Sequence, residues 1–113
     1  MKYSPCHGLM GACLLALAVT HSAPVLAGDL AAGRKKANVC RVCHGLNGIG
    51  LNPTVPHIAG ESELYLAKQL KAFRSGDRRH PQMSIIAKSL SDEDIANVAT
   101  WYSSIEISVR MPE

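Results

Sequence analysis

The five residues at positions 40–44 constrain this chain more than any other part of its sequence. They read Cys-Arg-Val-Cys-His, so two thiols lie about one helical turn apart and a histidine directly follows the second. The other two cysteines, Cys6 and Cys13, belong to an N-terminal segment that we expect to be removed. A disulfide between Cys40 and Cys43 would close a very small loop and stabilise the fold little. The pair therefore indicates a chemical role.

The spacing C-x-x-C-H is the attachment signature of c-type haem. Thiols at this distance can add to the two vinyl groups of one haem, and the adjacent histidine can then bind the iron. We therefore predict one covalently attached haem c at Cys40 and Cys43, with His44 as an axial iron ligand.

Three alternative roles for the motif fit the sequence less well. A structural zinc site needs four ligands, and beyond the motif only His57 and His80 offer nitrogen donors, with no further thiol. A thioredoxin-like redox pair belongs to a βαβ pattern, and the residues around the motif show no strand-like alternation. A pair of buried structural cysteines would leave the histidine without a role.

The first 27 residues have the features of a secretory signal peptide. Lys2 gives a positively charged start, residues 9–19 form an apolar run, and Val25, Leu26 and Ala27 are small or compact residues at the cleavage position. The run is shorter than the about 20 residues that span a membrane. We expect residues 28–113 to form one soluble, periplasmic domain. A lipoprotein signal with a lipidated Cys13 is the alternative, but the apolar run continues past that cysteine.

Composition limits both the function and the stability of this domain. The full sequence has a small net charge of +3 and its bases are mixed with acids, so its charge gives no argument for nucleic-acid binding. Aromatic residues make up only 4% of the sequence, and small domains with so thin a core commonly depend on a metal or a cofactor. We therefore expect the domain to be largely unfolded without haem. The expected apolar neighbours of the haem are Leu66, Leu70, Phe73, Ile85 and Ile95.

The hydrophobic pattern predicts an all-α domain with three main helices and a short one. The main helices are predicted at 29–43, 61–75 and 91–106. Their expected N-caps are Asp29, Ser62 and Ser91, and Gly76 is expected to end the second helix. A face of small residues that includes Gly33 favours the close approach of another helix to the first one.

A long loop is predicted at 45–60, where four glycines and two prolines occur. In so small a domain, a loop of this length is usually functional. We expect it to cover one face of the haem, with Pro56 placing its carbonyl near the histidine of the motif. The alternative for Pro56 is an ordinary turn residue.

The iron needs either an open face or a second axial ligand. The candidates for this ligand are Met83, Met111, His57 and His80. Met111 lies close to the C-terminus, where chains fray, and His57 follows Pro56 on the side of the first ligand. Met83 is favoured because we expect it in an irregular segment after Pro81, where its side chain can point inward. A gap-filling core methionine and a bis-histidine site of lower potential, through His80, are the alternatives.

Basic residues are concentrated on one face of the second helix and just beyond it. This basic cluster consists of Lys68, Lys71, Arg74, Arg78, Arg79 and His80. Such a cluster is either a solvated helix face or a docking patch for an acidic partner protein.

The order and spacing of these features resemble the class I c-type cytochromes, especially small bacterial monohaem cytochromes and the single-haem halves of two-haem periplasmic ones. The resemblance covers nearly all of residues 28–113 and is strongest in AAGRKKANVCRVCHG, NPTVPHIAGESELYLAKQLKAFRSG and LSDEDIANVATWYSS. One departure is that Val55 and His57 stand where relatives often have a tryptophan and a lysine.

The resemblance implies an all-α cytochrome c fold wrapped around the haem, and a role for each site residue. Thioethers would form at Cys40 and Cys43, His44 and Met83 would bind the iron, and a proline at the position of Pro56 would accept the histidine N–H. It also implies that the first and last helices cross at Gly33, against Trp101 or Tyr102.

The expected function is periplasmic electron transfer, one electron at a time, by a monomer or weak dimer and not by an enzyme. No general base or nucleophile is aligned in the sequence, and basic residues near an exposed haem edge would guide redox partners. One alternative is a dedicated cytochrome subunit of a periplasmic dehydrogenase. The other is a haem sensor or enzyme with an open distal site, in which Met83 does not bind.

Overall fold

The computed structural model describes residues 27–113, and the predicted signal peptide therefore lies almost entirely outside the described part. Helices α1 (Leu30–Lys36), α2 (Arg41–His44), α3 (Glu63–Ser75), α4 (Met83–Lys88) and α5 (Asp92–Ser103) follow one another along the chain. Residues 27–113 contain no strand, which confirms the all-α prediction. No helix in this part is long and apolar enough to cross a membrane.

The first predicted helix is divided into three pieces. Asp29 caps α1 as predicted, because its carboxylate accepts the Ala32 N–H at 2.6 Å. After Lys36 the chain tightens into a 3₁₀ turn over Ala37–Val39 before α2 begins. The Asn38 amide donates to the Lys35 carbonyl at 3.0 Å and occupies an oxygen that a continuing α-helix would use. The prediction of one continuous helix over 29–43 was therefore wrong.

Helices α1 and α5 cross at Gly33, as predicted. A Cβ atom at Gly33 would overlap the Asn97 carbonyl oxygen and would lie 3.0 Å from the Cβ of Trp101. Of the two aromatic residues considered, Trp101 is therefore the one at the crossing. The Asn97 side chain also accepts the Asp29 N–H at 2.7 Å, and Lys36 pairs with Asp94 at 2.8 Å. Backbone contact, a buried amide and an ion pair thus join the two helices.

The ends of α3 and α5 differ slightly from prediction. Ser62 caps α3, which starts at Glu63 and ends at Ser75. Gly76 follows as the C-cap, and its φ of 91° suits a residue without a Cβ. Ser91 and Asp94 form a capping box at the start of α5, which ends at Ser103, earlier than predicted.

One core cluster lies between the 3₁₀ turn after α1 and helices α3, α4 and α5. Its buried members are Ala37, Leu66, Leu70, Leu90, Ile95, Val98, Ala99 and Tyr102. Ile85 does not join them, and its side chain is 74% exposed. In α4 the inward positions are Met83 and Ala87, one helical turn apart, and Ile85 falls on the opposite face. Contrary to expectation, Met83 begins a helix instead of lying in an irregular segment.

Candidate functional site

His44 is held in one orientation by the chain around it. Its side chain is buried, and its backbone N–H donates to the Cys40 carbonyl at 2.9 Å. Its ring Nδ1 lies 3.0 Å from the carbonyl oxygen of Pro56. Because a carbonyl only accepts hydrogen bonds, Nδ1 carries the proton and the Nε2 lone pair is left for a metal. A histidine fixed in this way is well suited to bind iron.

The two thiols of the motif lie at the boundary between core and surface. Cys40 and Cys43 are free, the first half-buried against the core cluster and the second exposed. Burial raises the pKa of the Cys40 thiol to about 11, although the charge of Lys36 acts in the opposite direction. Redox-active dithiols instead have a lowered pKa, so the thioredoxin-like alternative does not fit this site.

The zinc alternative also lacks support. Across residues 27–113, no group of three or more His, Cys, Asp or Glu side chains could hold a metal ion. His57 lies on the surface, where its Nδ1 accepts the Gly50 N–H at 2.9 Å. The donor set at the motif, two thiols and one oriented imidazole, fits a haem that is attached through sulfur and bound at its iron by nitrogen.

Among the four candidates for a second axial ligand, Met83 alone packs against the core cluster, and it does so together with Cys40. Met111 is 76% exposed, and His57 and His80 are also exposed. The Nδ1 of His80 accepts the backbone N–H of Met83 at 3.3 Å, so this histidine lies beside the methionine without taking its inward position.

The predicted loop at 45–60 folds back onto the motif. Gly45 and Gly48 have φ angles of 69° and 73°, which turn the chain directly after His44. The Leu51 N–H then donates to the Cys43 carbonyl at 2.9 Å, and the Ile58 N–H donates to the Gly48 carbonyl at 2.8 Å. These turns bring the Pro56 carbonyl to the His44 ring.

Trp101 and Tyr102 were predicted only to pack between helices, but both also form hydrogen bonds at this site. The Trp101 indole N–H donates to the Leu46 carbonyl at 3.0 Å, and the Tyr102 hydroxyl donates to the Gly45 carbonyl at 3.0 Å. The sequence did contain a signal for these hydrogen bonds. It has two adjacent aromatic residues that each carry a polar hydrogen, next to the apolar face of α5.

The basic cluster is used partly for internal contacts. Arg74 pairs with Asp92 and donates to the Leu90 carbonyl, while Arg78 donates to Gln69 and lies over the Phe73 ring. Other members of the cluster form no ion pair within residues 27–113. These members are Lys68, Lys71 and Arg79.

Comparisons with known proteins agree with this geometry. The family model described as Cytochrome c matches residues 30–106. The chain is 47% identical to cytochrome c-554(548) of Halomonas halodenitrificans, with 71% of this chain and 100% of that protein covered. It is 42% identical to the thiosulfate dehydrogenase electron acceptor of Thiomonas intermedia, with 69% of this chain and 36% of that protein covered.

A solved structure also resembles the chain. Reduced recombinant cytochrome c4 from Pseudomonas stutzeri matches with a TM-score of 0.68 and 37% identity, covering 74% of this chain and 48% of that one. The chain thus spans about half the length of a cytochrome c4. Because the family match extends from α1 past the end of α5, the chain belongs to the cytochrome c family and transfers electrons through covalently bound haem c.

Proposed function

We propose that residues 28–113 form a periplasmic electron carrier, exported by a signal peptide at 1–27, with one haem ligated by His44 and Met83. The observation that carries this proposal is the placement of the two ligands. His44 is locked by Pro56 with its Nε2 available, and Met83 turns toward the core cluster on which Cys40 also packs.

Cys40 and Cys43 would form the two thioether bonds to the haem, which supplies one-electron chemistry at its iron. Cys40 is half-buried and Cys43 is exposed. A haem held by both thiols would therefore have one attachment point at the surface, where another redox centre could approach it.

The two axial side chains have different tasks. The hydrogen bond from His44 Nδ1 to Pro56 fixes the plane of the imidazole and increases the basicity of its other nitrogen. The thioether of Met83 would favour Fe(II) and would therefore raise the reduction potential. An iron held by both His44 and Met83 would change its ligands little on oxidation or reduction, which would suit a carrier better than an enzyme or a gas sensor.

The surface beside Cys43 suits brief contact with a redox partner. Val42 and Leu51 are 73% and 66% exposed, and Leu51 is hydrogen-bonded to the backbone of Cys43. Between positions 30 and 60, every charged residue is basic, although acids and bases are mixed in the chain as a whole. An apolar patch with basic surroundings favours a partner whose docking surface is acidic.

Met83→Ala tests the ligand assignment. We expect the variant to have a lower reduction potential, to lose the long-wavelength absorption band of methionine-ligated Fe(III), and to bind carbon monoxide when reduced. Met111→Ala is the matched control, because it removes an exposed methionine and should leave all three properties unchanged. An unchanged potential in Met83→Ala would exclude Met83. Carbon monoxide binding by reduced His80→Ala, but not by reduced Met83→Ala, would favour the bis-histidine alternative.

A second candidate is a dedicated electron-accepting subunit of a periplasmic dehydrogenase. It is favoured by the similarity to a protein named as the electron acceptor of thiosulfate dehydrogenase. Purification of the chain from its native source distinguishes the two roles. A free carrier elutes alone, whereas a subunit co-purifies with one enzyme in a constant ratio.

A further inference from the structure

The end of α5 contacts both ends of the loop that supports His44. At the start of the loop, the Tyr102 hydroxyl donates to the Gly45 carbonyl, and the Trp101 indole donates to the Leu46 carbonyl. At the end of the loop, the Gly60 N–H donates to the Tyr102 carbonyl at 2.9 Å. Tyr102 therefore binds the loop through its side chain at one end and through its backbone at the other.

The contact at Gly45 lies next to the axial ligand. Gly45 directly follows His44, and its φ of 69° ends α2. Its carbonyl accepts two hydrogen bonds, from the Gly48 N–H at 3.2 Å and from the Tyr102 hydroxyl at 3.0 Å. The bond from Gly48 lies within the turn and does not connect it to the rest of the domain. The bond from Tyr102 attaches the turn to α5.

The Tyr102 side chain is rigidly placed. It is fully buried in the core cluster, and this burial raises the pKa of its hydroxyl, which therefore stays protonated and donates. A buried donor with a single partner has a strong preference for keeping that hydrogen bond. The position of α5 is thus transmitted to the peptide unit between Gly45 and Leu46, one residue after His44.

We propose that Tyr102 is a positioning residue for the axial histidine, an inference that rests on the proposed ligation by His44. Tyr102 contributes to both structures that hold the His44 imidazole in place. The backbone beside His44 is held by the Tyr102 hydroxyl, and the loop that carries Pro56 is anchored to the Tyr102 carbonyl at Gly60. Trp101 adds a second anchor one residue further along the same segment.

Tyr102→Phe tests this role in the holoprotein, because it removes one oxygen and keeps the ring in the core. We expect two changes in the folded variant: a shifted reduction potential, and an altered spread of the haem methyl resonances of the oxidised protein, which depends on the orientation of the imidazole plane. Tyr65→Phe is the matched control, since the Tyr65 hydroxyl forms no hydrogen bond within residues 27–113. A Tyr102→Phe protein with a lower melting temperature but the potential and methyl shifts of the control would overturn the proposal.

Trp101→Phe provides a second test if Tyr102→Phe yields no folded holoprotein. Its expected effect on the methyl shifts is smaller, because Leu46 lies one residue further from His44. Methyl shifts identical to those of the unmodified protein would then overturn the proposal. The same methyl shifts should also be compared in a Met83→Ala background. Without the methionine ligand, any change that Tyr102→Phe causes there reports on the orientation of His44 and not on Met83.

Discussion

The α1–α5 crossing and the segment from Cys43 to His57 are stabilised in different ways. At the crossing, Ile95 and Tyr102 are completely buried, and helix backbones meet at Gly33. In the segment after Cys43, backbone hydrogen bonds fix the turns, while apolar side chains such as Leu51 remain exposed. The chain therefore packs the crossing with its own side chains, whereas around the motif it fixes the backbone by hydrogen bonds and leaves apolar side chains exposed.

Removal of the haem should change the stability of these two regions more than any other alteration. We expect a Cys40→Ala/Cys43→Ala variant to lose most of its helical circular dichroism, because a small domain with so thin an aromatic core commonly depends on its cofactor for stability. Residual hydrogen-exchange protection should be confined to the buried amides of α1 and α5. Full hydrogen-exchange protection of residues 45–60 in the haem-free chain would show that this segment is stable without haem and would contradict the difference between the two regions. Cys43→Ala alone, which retains one attachment point, is the intermediate control.

A substitution at the crossing should have the next largest effect. In Gly33→Ala, the new methyl group would overlap the Asn97 carbonyl, and the backbones would have to separate. We expect a loss of about 3 kcal/mol in the free energy of unfolding, near the upper end for overpacked cores. Chemical denaturation of the holoprotein measures it. Ala31→Leu adds volume to an exposed position of the same helix and should change stability little.

The smallest expected effect on stability comes from the ion pair between Lys36 of α1 and Asp94 of α5. The hydrogen bond from Lys36, together with those from Ser91, holds the pKa of Asp94 below its ordinary value of 3.8. Because the pKa is lower in the folded state, the ionised carboxylate stabilises the protein above that ordinary value. This contribution disappears as the pH falls through the lowered one.

Asp94→Asn should therefore reduce the stability at neutral pH by about 1 kcal/mol or less and should flatten the loss of stability in acid. Glu93→Gln is the matched control, because it removes a charge from the same helical turn and keeps the Lys36 pair. An acid unfolding curve of Asp94→Asn that parallels the unmodified one would show that the pair contributes nothing.

The local features of the fold could be predicted from sequence. Asp29, Ser62, Ser91 and Gly76 act at helix ends through hydrogen bonds to residues a few positions away, so their effect is visible in short stretches of sequence. The break after Lys36 and the helical start at Met83 were missed. The first depends on a side-chain bond from Asn38, and the second on packing of α4 against α3.

For the site, the motif predicted the chemistry, and the glycine- and proline-rich loop predicted that the Pro56 carbonyl lies near the histidine. The hydrogen bonds from Trp101 and Tyr102 could not be predicted, because each joins residues more than fifty positions apart in the chain. Aromatic residues at helical spacing predict burial, but the direction of a polar hydrogen is decided only when the elements pack.

The bond between Asp29 and Asn97 joins residues that are 68 positions apart. Closing a loop of that length has an entropic cost before any contact can offset it, so the α1–α5 crossing depends on contacts of high sequence separation. During synthesis, α1 has no partner until α5 has been made. The two thiols lie between these helices in the sequence. As long as the crossing is open, they therefore belong to an unpaired stretch of chain that is accessible for thioether formation.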